Sequence, residues 1–299
     1  MPMFKLPTIV KLRTKQIGLL MGSAFTGWQD DYAQSMGAAL AYYTMFSIAP
    51  LLLIVISIAG LVFGEEAARG EIAGQLQRLL GEQGAMVVQA LVQSVNKPSE
   101  GIWTTLIGVL LVLIGATSVF NELQNALDRI WRVTKGAEIG SFLYELQGRL
   151  LSFSMILGVG FVLMVSLIFS AGLSAIGKWW SPLWGAWGIA AHIVNIGMNF
   201  ILTTGMFALI FKIMPRVRIE WYEVWIGAAI TAILFTFGQF LIGFYIGTSG
   251  IASSFGAAGS LVALLVWVYY SAQVFLMGAE LTKAYSYIFG SRKHEKHKR

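Results

Sequence analysis

The chain has 299 residues, 57% of them hydrophobic and 12% charged, with a mean hydropathy of +0.70 and a formal charge of +6. A soluble domain carries about 25% charged residues, and half that supply cannot cover a water-facing surface of this size, so composition points to a chain that turns apolar surface to lipid. With no cysteine and three histidines, two of them (His294, His297) in the terminal basic run, the sequence excludes disulfides, thiolate chemistry and histidine-rich metal hydrolase sites.

Residues 1–35 hold Ile9, Leu12, Ile17, Leu19 and Leu20 among Lys5, Lys11, Arg13 and Lys15. This pattern predicts an amphipathic arm lying on an anionic leaflet. It lacks the apolar run and small-residue cleavage site of a signal peptide, so the first long apolar run, from Met36, is expected to serve as an uncleaved signal anchor.

Six stretches satisfy the requirement of about 20 apolar residues per bilayer crossing. They are Met36–Phe63, Ile102–Asn121, Leu150–Ile176, Trp187–Phe211, Tyr222–Ile246 and Phe255–Thr282. Their continuous apolarity argues for helices over barrel strands, which alternate with period two over roughly ten residues. Pro50 is expected to kink the first helix, with neighbouring helices satisfying the carbonyl it releases. Gly256 and Gly259, opening the sixth, permit close packing or a hinge.

Between the first two spans, residues 64–100 place Ile72, Leu76, Leu79 and Leu80, then Val88, Leu91, Val92 and Val95, at helical spacing. They read as an outer amphipathic cap, either structural or a gate. The basic run over 290–299 reads as a lipid-associating tail, not a nucleic-acid arm. The predicted fold class is therefore an all-α polytopic membrane protein. Its six-helix transmembrane domain occupies residues 36–289.

Orientation follows from the basic residues. Seventeen of the 21 Lys and Arg residues fall in the arm, the second and fourth connections and the tail, and the other four are Arg69, Arg78, Lys97 and Lys178. The positive-inside rule then puts both termini in the cytoplasm. Trp131, Trp221, Tyr222 and Trp225 mark the inner interface, and Trp179, Trp180, Trp184 and Trp187 the outer.

Polar residues within spans face a bundle interior more often than lipid. In the fourth span, His192, Asn195, Asn199 and Thr203 share a narrow arc, as bundle glue or as the lining of a polar cavity. At the inner end of the second, Thr117, Asn121, Gln124 and Asp128 share a face, followed by Arg129 and Arg132. In the sixth, Tyr269, Gln273 and Glu280 share a face. Glu280 is expected to pair with Lys283 or with an arginine of the second connection. Alternatively it is a proton or cation site, since burial favours the neutral form of a carboxylate. A charged network joining Asp128, Arg129 and Glu280 is a further expectation. Gln239, alone in the fifth span, reads as glue.

Three stretches together resemble the YihY/BrkB family of bacterial inner-membrane proteins: Ala38-Ala39-Leu40-Ala41-Tyr42-Tyr43-Thr44-Met45-Phe46-Ser47-Ile48-Ala49-Pro50, Asn125-Ala126-Leu127-Asp128-Arg129-Ile130-Trp131, and Tyr269-Tyr270-Ser271 with Gly278-Ala279-Glu280-Leu281-Thr282. The resemblance covers roughly residues 25–285. It implies six helices in an inner membrane, and a role as a candidate transporter or as a serum-resistance or virulence factor. It singles out Tyr42, Tyr43, Pro50, Asn125, Arg129, Trp131 and Glu280 as motif members. Asp128 stands where asparagine is expected in many relatives, so the resemblance assigns its charge no role.

A ribonuclease label has also been attached to that family. The residues argue against it, because a hydrolytic nuclease needs a metal cluster or a paired acid and base. No enzyme motif is present, and no catalytic residue, metal or cofactor is expected. Two readings remain: a transporter or lipid-handling protein with a polar cavity between the second, fourth and sixth spans, or a non-transporting envelope structural or assembly factor. Expected partners are membrane lipids and a small solute, ion or lipid substrate, not nucleic acid. Homo-oligomerisation is left open.

Overall fold

A computed structural model describes residues 14–64, 66, 69–70, 72–74, 86, 88–90, 92–93, 118–133, 187–248 and 259–293. The described residues contain helices and turns and no strand. We number the helices α1 (Thr14–Asp30), α2 (Ala33–Phe63), α3 (118–130), α4 (Trp187–Ile213), α5 (Trp221–Thr248) and α6 (Gly259–Ile288).

Three of these carry stretches long and apolar enough to cross a bilayer: Ile196–Ile213, Trp221–Ile242 and Leu261–Ile288. They coincide with the fourth, fifth and sixth expected spans. The first expected span is helix α2, which continues through Pro50 without interruption. Most of the second expected span, all of the third, Gly256, the arm before residue 14 and the tail after residue 293 lie outside the described residues. The sixth helix runs six residues beyond its expected end at Thr282, because Lys283 and Ser286 are held by the bundle instead of ending it.

Helix α6 is the axle of the described bundle, packing against α1, α2 and α5, while α4 packs on α5. Helices α1 and α2 are separated by a turn of two residues. The Asp31 N–H still donates to Gly27 O at 2.9 Å, but Tyr32 adopts φ 57°, ψ 44° and turns the chain. A tyrosine in the left-handed region is uncommon and is held there by its surroundings. The guanidinium of Arg129 lies over its ring, 5.5 Å from the centroid.

The main apolar cluster joins Met36 and Leu40 of α2, Leu127 and Ile130 of α3, Phe207 and Phe211 of α4, Val224 and Ala228 of α5, and Phe275 and Leu276 of α6. Phe207 and Phe211 stack at 6.2 Å, and Phe275 tilts against Phe211 at 5.1 Å. These rings join α4 to α6 inside the cluster.

The α5–α6 seam uses a different device. Gly227 and Thr231 sit one turn apart on α5, and Gly278 and Thr282 one turn apart on α6. Each threonine hydroxyl donates to the carbonyl of its own helix's glycine: Thr231 Oγ1 to Gly227 O at 2.7 Å, and Thr282 Oγ1 to Gly278 O at 2.8 Å. Each threonine also fills the space beside the partner's glycine. A Cβ on Gly227 would collide with Thr282, and one on Gly278 with Thr231. Further along, Gly238 makes room for the Tyr270 ring. Where lipid competes equally for apolar surface, such close backbone approach is what holds helices together.

Candidate functional site

Asp31, Gln124, Asp128, Arg216, Glu223, Glu280 and Lys283 gather at one end of the bundle. Here the α1–α2 turn, the end of α3, the 214–220 connection and the end of α6 meet. They form three separate clusters.

The first centres on Glu280, 1% exposed, and Asp31, 7% exposed. Lys283 Nζ donates to Asp31 Oδ2 at 3.0 Å and to Glu280 Oε2 at 3.2 Å. Gly27 of α1 faces the Glu280 carboxylate so closely that a Cβ there would stand 2.5 Å from Oε2. Glu280 Oε1 is buried and has no hydrogen-bond partner among the described residues. One ammonium thus faces two carboxylates in a desolvated site, so one negative charge is left unmatched. Such a site is costly unless a further cation or a proton enters it.

The same face of α6 carries Gln273 and Tyr269 toward Gly37 of α2. Gln273 Nε2 donates to Ala33 O at 3.3 Å and lies at 3.5 Å from Gln34 O. Its Oε1 is buried without a partner among the described residues. The Gly27 and Gly37 gaps are what let two polar α6 side chains reach the backbone of α1 and α2.

The second cluster belongs to α3. Gln124, Leu127, Asp128 and Trp131 follow helical spacing and share one buried face. Arg216 donates its backbone N–H to Asp128 Oδ1 at 3.0 Å, and its guanidinium meets Oδ2 at 3.2 Å. Gln124 Nε2 donates to Met214 O at 3.3 Å, while its Oε1 accepts from Arg216 at 3.3 Å. The α4–α5 connection is thereby fixed on α3.

The third cluster was not singled out from the sequence. Glu223 lies in the first turn of α5 and is fully buried. Its Oε1 accepts from Tyr222 Oη at 3.0 Å and from the Ser291 N–H at 2.5 Å. Gly290 leaves the room for this approach, since a Cβ there would strike the carboxylate.

The expected charged network joining Asp128, Arg129 and Glu280 is not formed. Asp128 pairs with Arg216, Glu280 pairs with Lys283, and Arg129 stacks on Tyr32. The reason is angular. Arg129 follows Asp128 by one residue, which turns it about 100° away on the helix, toward the α1–α2 turn. Of the pairings expected for Glu280, the structure contains the one with Lys283 and adds Asp31.

Asn121 and Asn199 are exposed on α3 and α4, and Tyr269 is 36% exposed. Gly259 is buried at the start of α6. The side chains of His192, Asn195 and Pro50, and Gly256 altogether, lie outside the described residues. The sequence carried a signal for the missed Asp31: Asp30 and Asp31 are the acidic residues of an otherwise basic arm. Glu223 was masked by the interfacial aromatics Trp221, Tyr222 and Trp225 around it.

Comparison with known proteins bears on this architecture. The family model described as Virulence factor BrkB matches residues 24–299. The chain belongs to the BrkB family. A UPF0761 membrane protein of Psychromonas ingrahamii is 30% identical over 266 residues, spanning 85% of this chain and 83% of that one. UPF0761 membrane proteins of Alcanivorax borkumensis and Pseudomonas aeruginosa are 27% and 25% identical, over 86% and 84% of this chain. This chain covers 58% and 59% of the lengths of those two relatives. No solved structure matches. The BrkB-family chain is thus a membrane-embedded helical protein, and the motif stretches Asn125–Trp131 and Gly278–Thr282 carry Asp128 of the α3 cluster, Gly278 and Thr282 of the α5–α6 seam, and Glu280 of the triad.

Proposed function

We propose that this BrkB-family chain is a six-span bacterial inner-membrane transporter or lipid-handling protein, with both termini cytoplasmic. Its ion-responsive element is the Asp31–Lys283–Glu280 triad. One observation carries the reading: two buried carboxylates share a single ammonium at the end of an apolar helix. A purely structural ion pair needs one carboxylate per lysine. The surplus charge suits a group that takes up and gives back a proton or a monovalent cation as the α1–α2 turn moves against α6.

The test is reconstitution into liposomes with an imposed proton gradient, measuring ion flux and fluorescent-lipid movement in parallel for wild type, Glu280→Gln and Asp31→Asn. Loss of flux or of lipid movement in variants that still fold supports the reading. Wild type that moves neither ions nor lipids, or variants as active as wild type, sinks it. The second reading is a non-transporting envelope factor. It is favoured by the interlocked α5–α6 seam and by the family's description as a virulence factor.

A further inference from the structure

Beside the three clusters, the loop end carries basic side chains that no carboxylate among the described residues answers. Arg132, Arg218 and Lys293 are exposed and Arg292 is half-buried. Among the described residues, none of the four forms an ion pair; the described pairs use Arg216 and Lys283 instead. These four come from three elements brought together around Trp131. The Arg292 guanidinium lies over the Trp131 ring, 5.4 Å from its centroid, and donates to Arg218 O at 3.4 Å. Arg132 follows Trp131 directly, in the left-handed conformation at φ 52°. Its backbone is fixed by bonds from the Arg132 N–H to Arg129 O at 3.0 Å and from the Val133 N–H to Asp128 O at 2.9 Å.

The level of this patch in the bilayer is set by its neighbours. The α4 apolar stretch ends at Ile213, that of α5 begins at Trp221, and that of α6 ends at Ile288. Arg218, Arg292 and Lys293 lie within a few residues of such an end, and Arg132 follows Trp131, on which Arg292 stacks. Trp221 and Trp225 are exposed at the same level, and Lys212 lies over the Trp221 ring at 5.3 Å. Interfacial tryptophans sit at the headgroup depth, where lipid phosphates are the most abundant anions. Planar guanidiniums suit a phosphate because they offer paired donors.

We propose that Arg132, Arg218, Arg292 and Lys293, with Trp131 as floor, form a binding surface for the phosphate of an anionic phospholipid headgroup. Of the four, Arg292 is pre-oriented by the ring beneath it, so little side-chain freedom is lost on binding. The surface does not depend on transport, and it stands whether or not the triad moves ions.

Native mass spectrometry of the full chain in neutral detergent tests it, with phosphatidylglycerol and phosphatidylcholine supplied at equal concentration. Wild type should retain phosphatidylglycerol preferentially. The variant R132N/R218Q leaves the Trp131–Arg292 stack intact and keeps a residue tolerant of the left-handed conformation at 132. It should lose roughly fivefold of that preference per charge removed. R292Q, checked for folding by its melting midpoint, should lose a similar factor. R69Q, carrying the same loss of one charge as R292Q but outside the patch, should keep the wild-type ratio. Three results would overturn the proposal: an unchanged ratio in folded R132N/R218Q, an equal drop in R69Q, or displacement of the lipid by millimolar inorganic phosphate, which would make the patch a site for a free anion.

Discussion

Lys283 is the residue on which the triad depends. Its removal leaves Asp31 and Glu280 facing each other in a buried site with no counter-charge among the described residues. Breaking a buried pair in this way costs about 3–5 kcal/mol, whereas Glu280→Gln keeps a carbonyl that accepts from the ammonium and removes the surplus charge. Lys283→Met should therefore lower the melting midpoint in detergent far more than Glu280→Gln. Equal losses would mean that the triad is not coupled. Arg132 gives the opposite sign. Held in the left-handed region, where glycine sits without strain, it should yield about 1 kcal/mol of added stability as Arg132→Gly, read from the same melt. At this scale the sequence disclosed the Glu280–Lys283 pair, three positions apart on one helix. It did not disclose Asp31, because that partner lies 252 positions from Lys283 and is brought near only by the turn at Tyr32.

At the scale of the helix, the α5–α6 seam should be intolerant of a single carbon. Gly227→Ala and Gly278→Ala each push a methyl into a threonine of the partner helix, and overpacking of this kind costs about 1–3 kcal/mol. Combining Gly227→Ala with Thr282→Ala removes the hydroxyl that stands nearest and leaves the Cβ of residue 282 at 2.8 Å from the new methyl, so the collision is eased and the double variant should be less destabilised than the two single losses would add up to. A strictly additive double-mutant cycle would show that the two residues do not meet. Helix positions were readable from apolar run length alone, and α4, α5 and α6 begin or end close to where their runs do. The pairing of helices was not readable. Gly227, Thr231, Gly278 and Thr282 look like unremarkable small residues in each span, and only their opposition across the seam gives them meaning.

For the whole molecule, the end of α6 acts as a latch. Ser291 caps the buried Glu223, and Arg292 covers Trp131, so residues just past the last helix tie α5 and α3 to the bundle. Truncation after Ile288 removes a hydrogen bond to a charged group, worth about 1.5–3 kcal/mol, and a cation–π contact worth about 0.5–1 kcal/mol. The shortened protein should melt several degrees earlier and be cleaved faster within 214–220. Unchanged proteolysis would show that the latch holds nothing. Composition and basic-residue placement made the membrane-embedded helical class legible, since they are summed over the whole chain. The latch was not legible, because a basic run after the last span reads first as a topology signal.

The reciprocal glycines and threonines of α5 and α6 have a kinematic consequence. Slide α6 by one turn in one direction and Thr282 arrives opposite Thr231, two branched side chains where a gap is needed. Slide it the other way and Gly227 arrives opposite Gly278, leaving a void. The seam is a ratchet with a single tooth position. Whatever motion this protein undergoes, α5 and α6 travel as one body, and the displacement is taken up elsewhere in the bundle.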